Sequence, residues 1–318
     1  MSALAVSRNG DRPPGFLEDR GMRRFWLRSL LAPASAWRWR AFILRLHRDL
    51  AAPAPDSRIL SKPLHGYVRR GWSFGARTRA LLDHYGWCKM LIKSEFLSAL
   101  CAGEAFALAR LAGRRNSHFR VILSASAMLQ TQREGEITIS LVRDGDPTHL
   151  SRLTLAFVTE AGRLAFAIGG LQGPKPGHKR EVIDATRDLF GLRPKDATLL
   201  AAQALADAFG APVHAVSDAN HVHRRLRVDP KHSSYDAYWR ERGGAEEGSF
   251  GFVLPALEAC AATAAPRDRI KNALVAETRE FARFCLLDRP RTGRKAPLAP
   301  ARARGFVPMP APAIMLAR

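Results

Sequence analysis

Four short runs between residues 119 and 169 constrain this chain most: "FRVILSASA", "GEITISLVRD", "HLSRLTLAFVT" and "RLAFAIGG". Each is rich in Val, Ile, Leu, Thr or Phe, and turn signals such as "REG", "DGD" and "EAG" separate them. Such side chains fit a pleated, buried surface, and Gly- and Asp-containing breaks close hairpins. The pattern predicts a four-strand antiparallel meander. The next elements read as helices, at about 178–190 and, after "GLRPK", at 195–209. "PVHAVS" then reads as a strand, "DANHVHRRL" as a short helix capped by Asp218, 249–254 as a strand and 267–287 as a final helix.

The chain before the meander has a different texture. Residues 1–19 are polar and read as a disordered N-terminus, and 20–112 as a basic, mostly helical region. Within the latter, 51–75 is turn-rich, and 76–112 is predicted helical with a break near Lys93–Ser94. An α/β (α+β) domain is expected over 113–288. From 289 the chain is basic, Pro-rich and free of acids, the composition of a disordered tail.

Residues 20–48 contain eight arginines and no acid, interleaved with Phe25, Trp26, Trp37, Trp39 and Phe42. Trp39, Phe42, Ile43, Leu46 and Leu50 fall on one helical face. Arginines opposite Trp and Leu suit either an interfacial helix on anionic lipid or a helix packed on a core with a solvated basic face. The lipid alternative names Arg23, Arg24, Trp26, Trp37, Trp39 and Phe42 as membrane contacts. With 50 basic against 29 acidic residues the net charge is +21, which attracts nucleic acid or an anionic membrane surface. Nucleic acid ranks lower, because no zinc finger, RNP-like block or helix-turn-helix stands out. No apolar run is long enough to span a bilayer, and the N-terminus lacks a signal-peptide core. Cys88, Cys101, Cys260 and Cys285 form no C-x-x-C pair, so neither zinc nor a disulfide framework is expected. The expectation is a cytoplasmic protein, peripheral to the inner membrane.

Two stretches carry candidate chemistry. In "IGGLQGPKPGHKREV", residues 168–182, a strand gives way to a Gly/Pro turn and then a basic helix. A helix N-terminus offers unpaired N–H donors to an anion, and glycine lets it approach. The candidate donor-binding residues are Gly170, Gln172, Gly173, Lys175, Gly177, His178, Lys179 and Arg180. A rigid strand-to-helix turn with a solvated basic rim is the other reading. The second stretch, "VSDANHVHRRLRVDPKHSSYDAYWRERGG", holds Ser217, Asp218, His221, His223, Tyr235, Asp236, Tyr238 and Trp239 just past a predicted strand. His221 is the candidate general base and Tyr235 or Tyr238 the acid, with Ser217 and Asp236 beside them. Alternatively Asp218 caps a helix while His221 and the aromatics fill core and rim.

The order meander, turn, helix, strand, helix resembles the GNAT-type acyltransferases. There the turn after the fourth strand carries Q/R-x-x-G-x-G/A and holds the pyrophosphate of acyl-coenzyme A. Gln172 and Gly177 match its outer positions, Lys175 replaces the first glycine, and Pro174 and Pro176 remove two backbone donors. The expected fold is thus a GNAT-like mixed, largely antiparallel sheet with flanking helices.

The blocks "SKPLHGYVRRGWSF", "LLDHYGW", "GEITISLVRDGDP" and "IGGLQGPKPGHKREV" through "HVH", with "SSYDAYWRERGG", resemble the VirK/YbjX family, the domain of unknown function 535. The resemblance runs from about 20 to 287. Gly169, Gly170, Gln172, Gly173, Arg193, Lys195, Ser217, His221, Tyr235, Asp236 and Trp239 fall in family-typical blocks, whereas Asp218 and His223 depart from an expected Asn and Tyr. The resemblance implies a bacterial protein of envelope modification, antimicrobial-peptide resistance or virulence. Joined to the GNAT-like order, it suggests transfer from an acyl or aminoacyl donor such as acyl-coenzyme A to a lipid-linked or envelope acceptor. A non-enzymatic peripheral membrane or regulatory protein of the envelope-stress response is the alternative.

Overall fold

Seven strands lie side by side in the order in which the chain makes them. The computed structural model describes residues 27, 29, 30, 32–223, 234–257 and 265–285. Helices α1 (Pro33–Asp49), α2 (Ser57–Leu60), α3 (Phe74–Leu91) and α4 (Ser94–Cys101) come first. Strands β1 (Ala105–Ala112), β2 (His118–Ala125), β3 (Ile137–Arg143), β4 (His149–Glu160) and β5 (Arg163–Gln172) then form an antiparallel meander. From β5 the chain crosses over through α5 (Lys179–Asp188) and α6 (Pro194–Phe209) to β6 (Val213–Val216), which pairs with β5 in parallel. A parallel neighbour requires such a crossover. Helix α7 (Tyr235–Glu241), antiparallel β7 (Gly251–Leu254) and α8 (Pro266–Cys285) complete the described fold. The result is a mixed, mostly antiparallel open sheet with flanking helices, as the sequence pattern predicts.

The helices cover the strands according to their apolar stripes. Helix α6 packs on β3 and β4, and α8 packs on α6 and β1. Residues of β3 through β5 are accordingly buried in nearly continuous runs, the Thr and Ser positions of β3 included. Pro194 opens α6 at a position where its missing N–H costs nothing, and Gly210 closes it with φ of 64°. Helix α3 lies against β4 beyond the start of β3. Phe157, two residues past the Ile137–Leu155 pair, has no β3 partner there, and its N–H donates to His84 Nδ1 at 3.0 Å instead.

Three expectations change. Residues 105–112, expected to be helical, form β1. Gly103, at φ of 89°, ends the preceding helix, and the Ala/Leu-rich run then pairs with β2 from Ala105↔Ser124 to Ala112↔His118. Tertiary pairing has overridden helix propensity, and the boundary expected at 112/113 falls inside a hairpin. Asp218 does not open a helix over 218–223. It accepts from Tyr235 N–H at 3.0 Å and from the Ser234 hydroxyl at 2.5 Å, so it sits at the start of α7.

The third change concerns α1. Trp39 is fully buried, its indole N–H donating to Leu60 O at 3.1 Å, and Phe42 packs against the same core. Trp39 is therefore not available as a membrane contact, because the Trp39–Ile43–Leu46 face is the one α1 turns inward, and Phe42 is half-buried beside it. Trp37 is exposed. Arg23, Arg24, Trp26, the expected N-terminal disorder and the tail from 289 lie outside the described residues.

Candidate functional site at the fork of the parallel strands

Strands β5 and β6 pair only at Phe166↔Val213, Ala167↔His214 and Ile168↔Ala215. Next on β5 comes Gly169, an extra residue against β4, since Leu155 faces Ile168 while Thr154 faces Gly170. A bulge of this kind re-aims a strand. Beyond it, Leu171 N–H donates to the Tyr235 hydroxyl at 3.1 Å. Tyr235, from the start of α7, takes the place a β6 residue would hold, and the two strands part around it.

The loop between β2 and β3 fills the fork. A Cβ on Gly169 would overlap the carbonyl oxygen of Glu134, and one on Gly170 would overlap its carboxylate. These glycines therefore make room for Glu134. Glu134 is 1% exposed; its Oε1 accepts from Gln172 Nε2 at 2.7 Å, and Oε2 has no hydrogen-bond partner. Gln172 Oε1 accepts in turn from Arg152 Nη2 at 3.0 Å. Burial lowers the Arg152 pKa, with the Glu134 charge opposing the shift. A buried carboxylate with a free oxygen is costly unless something pairs with it or protonates it.

His221 is what reaches Glu134 from the surface side. Its Nε2 lies 3.4 Å from Glu134 Oε1, and its ring is 4.9 Å from that of Tyr235. Its Nδ1 accepts from His223 N–H at 3.4 Å, which in the neutral ring leaves the proton on Nε2, toward Glu134. Burial lowers the His223 pKa, with the Glu134 charge opposing the shift. Tyr235 moves the other way: burial first, then Glu134, raise its pKa and keep the hydroxyl protonated.

A third segment holds the two halves together. Val68 N–H donates to Arg133 O at 2.7 Å, Arg70 N–H donates to Asn220 O at 2.7 Å, and Arg69 bridges to His221. Val68 is fully buried at φ of 52°. Positive φ on a buried β-branched residue is a strained arrangement, of the sort that persists where the surroundings dictate it. Here "GYVRR" clamps the Glu134 loop against the His221 turn.

The other expected site residues are near but differently employed. Asp218 and Asp236 exchange carboxylate-to-backbone bonds, Asp218 N–H donating to Asp236 Oδ1 at 2.7 Å and Asp236 N–H to Asp218 Oδ2 at 3.4 Å. The Ser217 hydroxyl accepts from Asn220 N–H at 3.3 Å. These groups shape the turn that presents His221. The Trp239 indole N–H donates to Val216 O at 2.9 Å inside the core. Tyr238 donates to Asp196 Oδ1 at 2.9 Å, beside Arg242, while Arg193 pairs with Glu241 at 3.0 Å and Lys195 lies over the Tyr238 ring. That set ties α6 to α7. In the 173–180 turn, Lys175, Gly177, Lys179 and Arg180 are exposed, Gly177 has φ of 99°, and His178 Nδ1 lies 3.1 Å from Glu181 Oε1. An added Cβ would meet nothing within 4 Å at Gly173 or Gly177. Gln172 joins this turn to the fork.

Sequence reasoning missed Glu134 and Arg152. "REGE" read as a turn, and an arginine in a strand drew no attention. The available signal was two acids flanking a glycine directly before a buried strand.

These features define a mixed α/β protein with a buried Glu–Gln–Arg chain meeting a half-buried histidine at a strand fork. The chain belongs to the family described as Protein of unknown function (DUF535), the VirK/YbjX family, whose model matches residues 18–264. No curated protein and no solved structure matches it.

Proposed function

We propose that the chain is a GNAT-like group-transfer protein of the acyl- or aminoacyl-transferase type, with its reaction centre at the β5/β6 fork. The observation that carries this reading is Glu134, buried with one oxygen unpartnered and reached by His221. A carboxylate in that setting can take a proton from an attacking amine or hydroxyl, with His221 Nε2 3.4 Å away to hold it in place. The acceptor heteroatom bonds to the acyl carbon as the bond to the leaving group breaks. Tyr235, whose oxygen accepts Leu171 N–H, is the protonated group at the fork that faces the leaving group's side, although its raised pKa makes it a weak acid. The proton taken up by Glu134 then balances the one Tyr235 gives.

A phosphate-bearing donor such as acyl-coenzyme A supplies the activated acyl carbon. The fit of the chain to it is uneven. Gly170 is occupied by Glu134, and Pro174 and Pro176 lack N–H groups, yet Lys175, Lys179 and Arg180 are exposed on the adjoining turn. Side-chain cations rather than a backbone cradle would hold the phosphates. The GNAT-like order of a meander, a crossover and one parallel pair supports the same reading.

The test is a thermal-shift screen with acyl-coenzyme A species, free coenzyme A and aminoacyl-tRNA mimics. A donor at 100 times its Kd adds about 2.7 kcal/mol. The shift should vanish when Lys175, Lys179 and Arg180 are replaced together and survive His221→Asn, which should abolish turnover. No shift with any donor would sink the transfer reading. The filling of the fork by Glu134 favours the alternative, a non-enzymatic envelope-stress protein that retains a degenerate site.

A further inference from the structure

Large apolar side chains exposed to solvent are concentrated in one stretch. Leu27 is 67% exposed, Leu30 77%, Trp37 72% and Leu44 39%, all at or just before α1. The others among the described residues, Met90, Ile183 and Phe284, are scattered over α3, α5 and α8. On α1, Trp37, Leu44 and Arg48 stand at i, i+7 and i+11, with Arg45 beside them and Arg38 at the rim, all exposed. Trp39, Ile43 and Leu46 occupy the opposite face and are buried. The helix is therefore pinned by its core side and shows water a face of Trp, Leu and Arg. Asp49, the one acid on α1, is paired with Lys89 of α3 at 3.0 Å. No carboxylate pairs with Arg38, Arg45 or Arg48 among the described residues.

We infer that this face docks on an anionic lipid bilayer. Trp and Leu enter the headgroup boundary while arginines meet phosphates, the division of labour of an interfacial helix. A net charge of +21 draws the chain to such a surface and opposes docking of a second copy. Three of the four exposed apolar residues are leucines, which cannot stack on bases, so lipid fits better than nucleic acid. The stretch from Pro290 contributes six basic residues and no acid to the net charge. The helix lies on the membrane rather than across it, since no helix among the described residues is long and apolar enough to span. The inference is independent of the transfer reading.

The experiment is flotation of the full chain with phosphatidylcholine vesicles and with vesicles one-third phosphatidylglycerol, at low and physiological salt. Binding to the anionic vesicles alone is expected, weakening with salt. Replacing Arg38, Arg45 and Arg48 with Gln should cut partitioning about a hundredfold, at about fivefold per charge. Trp37→Ala should cost about tenfold, while Ile183→Ala on α5 should cost nothing. All sites are exposed, and unchanged melting curves confirm that each variant folds. Absent binding, equal binding to neutral vesicles, or binding indifferent to these substitutions would each overturn the inference. So would variants that lose affinity for single-stranded nucleic acid but keep it for vesicles.

Discussion

Glu134 and Glu136 sit two residues apart, both all but inaccessible, and they have opposite surroundings. Glu136 meets Lys62 Nζ at 2.5 Å with Oε1 and accepts the Tyr85 hydroxyl at 2.7 Å with Oε2. Lys62 is itself only 7% exposed. A cavity of about 100 Å³ adjoins this cluster, bordered also by His84, Cys88 and Cys101. Glu134 has an amide on one oxygen, nothing on the other, and a histidine at its edge. A buried carboxylate with partners on both oxygens is part of the scaffold. One left open beside a histidine is the arrangement on which the proposed proton transfer rests. Substitutions should therefore move stability at Glu136 and function at Glu134.

The largest effect is expected from Glu136→Ala. Removing one partner leaves Lys62 charged and buried, at a cost of about 3–5 kcal/mol in denaturant unfolding. A cost below about 1 kcal/mol would break the contrast, because the pair would then not be structural. Replacing Lys62 with Met and Glu136 with Gln together should cost much less than either single truncation.

Acid should find the interior cluster next. His84 is buried, and its pKa is pushed down to about 3, by burial first and then by the Lys62 charge. An unfolded histidine takes a proton near pH 6.5, whereas the folded one resists until about 3. Stability is thus present above 6.5 and lost as pH falls through that window, approaching about 4 kcal/mol by pH 3. His149 and His223, also lowered mainly by burial, act in the same direction. His84→Asn, whose Oδ1 can stand in for Nδ1 opposite Phe157 N–H, should flatten the acid limb of an unfolding-versus-pH curve. An unchanged limb would move the acid sensitivity from the cluster to the fork.

Gly170→Ala is expected to cost about 1–3 kcal/mol, because the new methyl meets the Glu134 carboxylate and overpacks the fork. Paired with Glu134→Ala the same substitution should be far milder, and a double-mutant cycle measures the difference. Additive losses would mean that Gly170 serves something other than Glu134.

How much of this was legible depended on whether a residue's neighbours were local. β2 through β5 could be read because β-branched side chains and turn signals lie within each run. β1 could not, because "AFALARLA" has a helix former's composition and becomes a strand only through β2. The face of Trp39, Ile43 and Leu46 was visible as a period, but the pattern alone left open whether core or lipid covered it. His221 and Tyr235 were found as polar groups past a strand end. Their partner was hidden, since Glu134 lies 87 residues before His221 and meets it only through β5 and the "GYVRR" clamp. Gly170 reads in the sequence as making room for a bound anion, and in the structure Glu134 fills the space at both Gly169 and Gly170. The group that approaches is the chain's own glutamate, which a single sequence has no means of expressing.

The smallest stability effect carries the functional claim. Glu134→Gln keeps the volume and the oxygen that accepts from Gln172, and it removes a buried charge whose second oxygen has no partner. Losing an unpaired charge offsets losing part of a charge-assisted bond, so unfolding should shift by less than about 1 kcal/mol in either direction. Proton uptake is what an amide cannot do. If the fork is a reaction centre, E134Q should bind a donor identified by thermal shift as tightly as the parent chain yet turn over at least a hundredfold more slowly. A large loss of stability with undiminished turnover would make Glu134 a second Glu136, and the difference between the two would be one of packing alone.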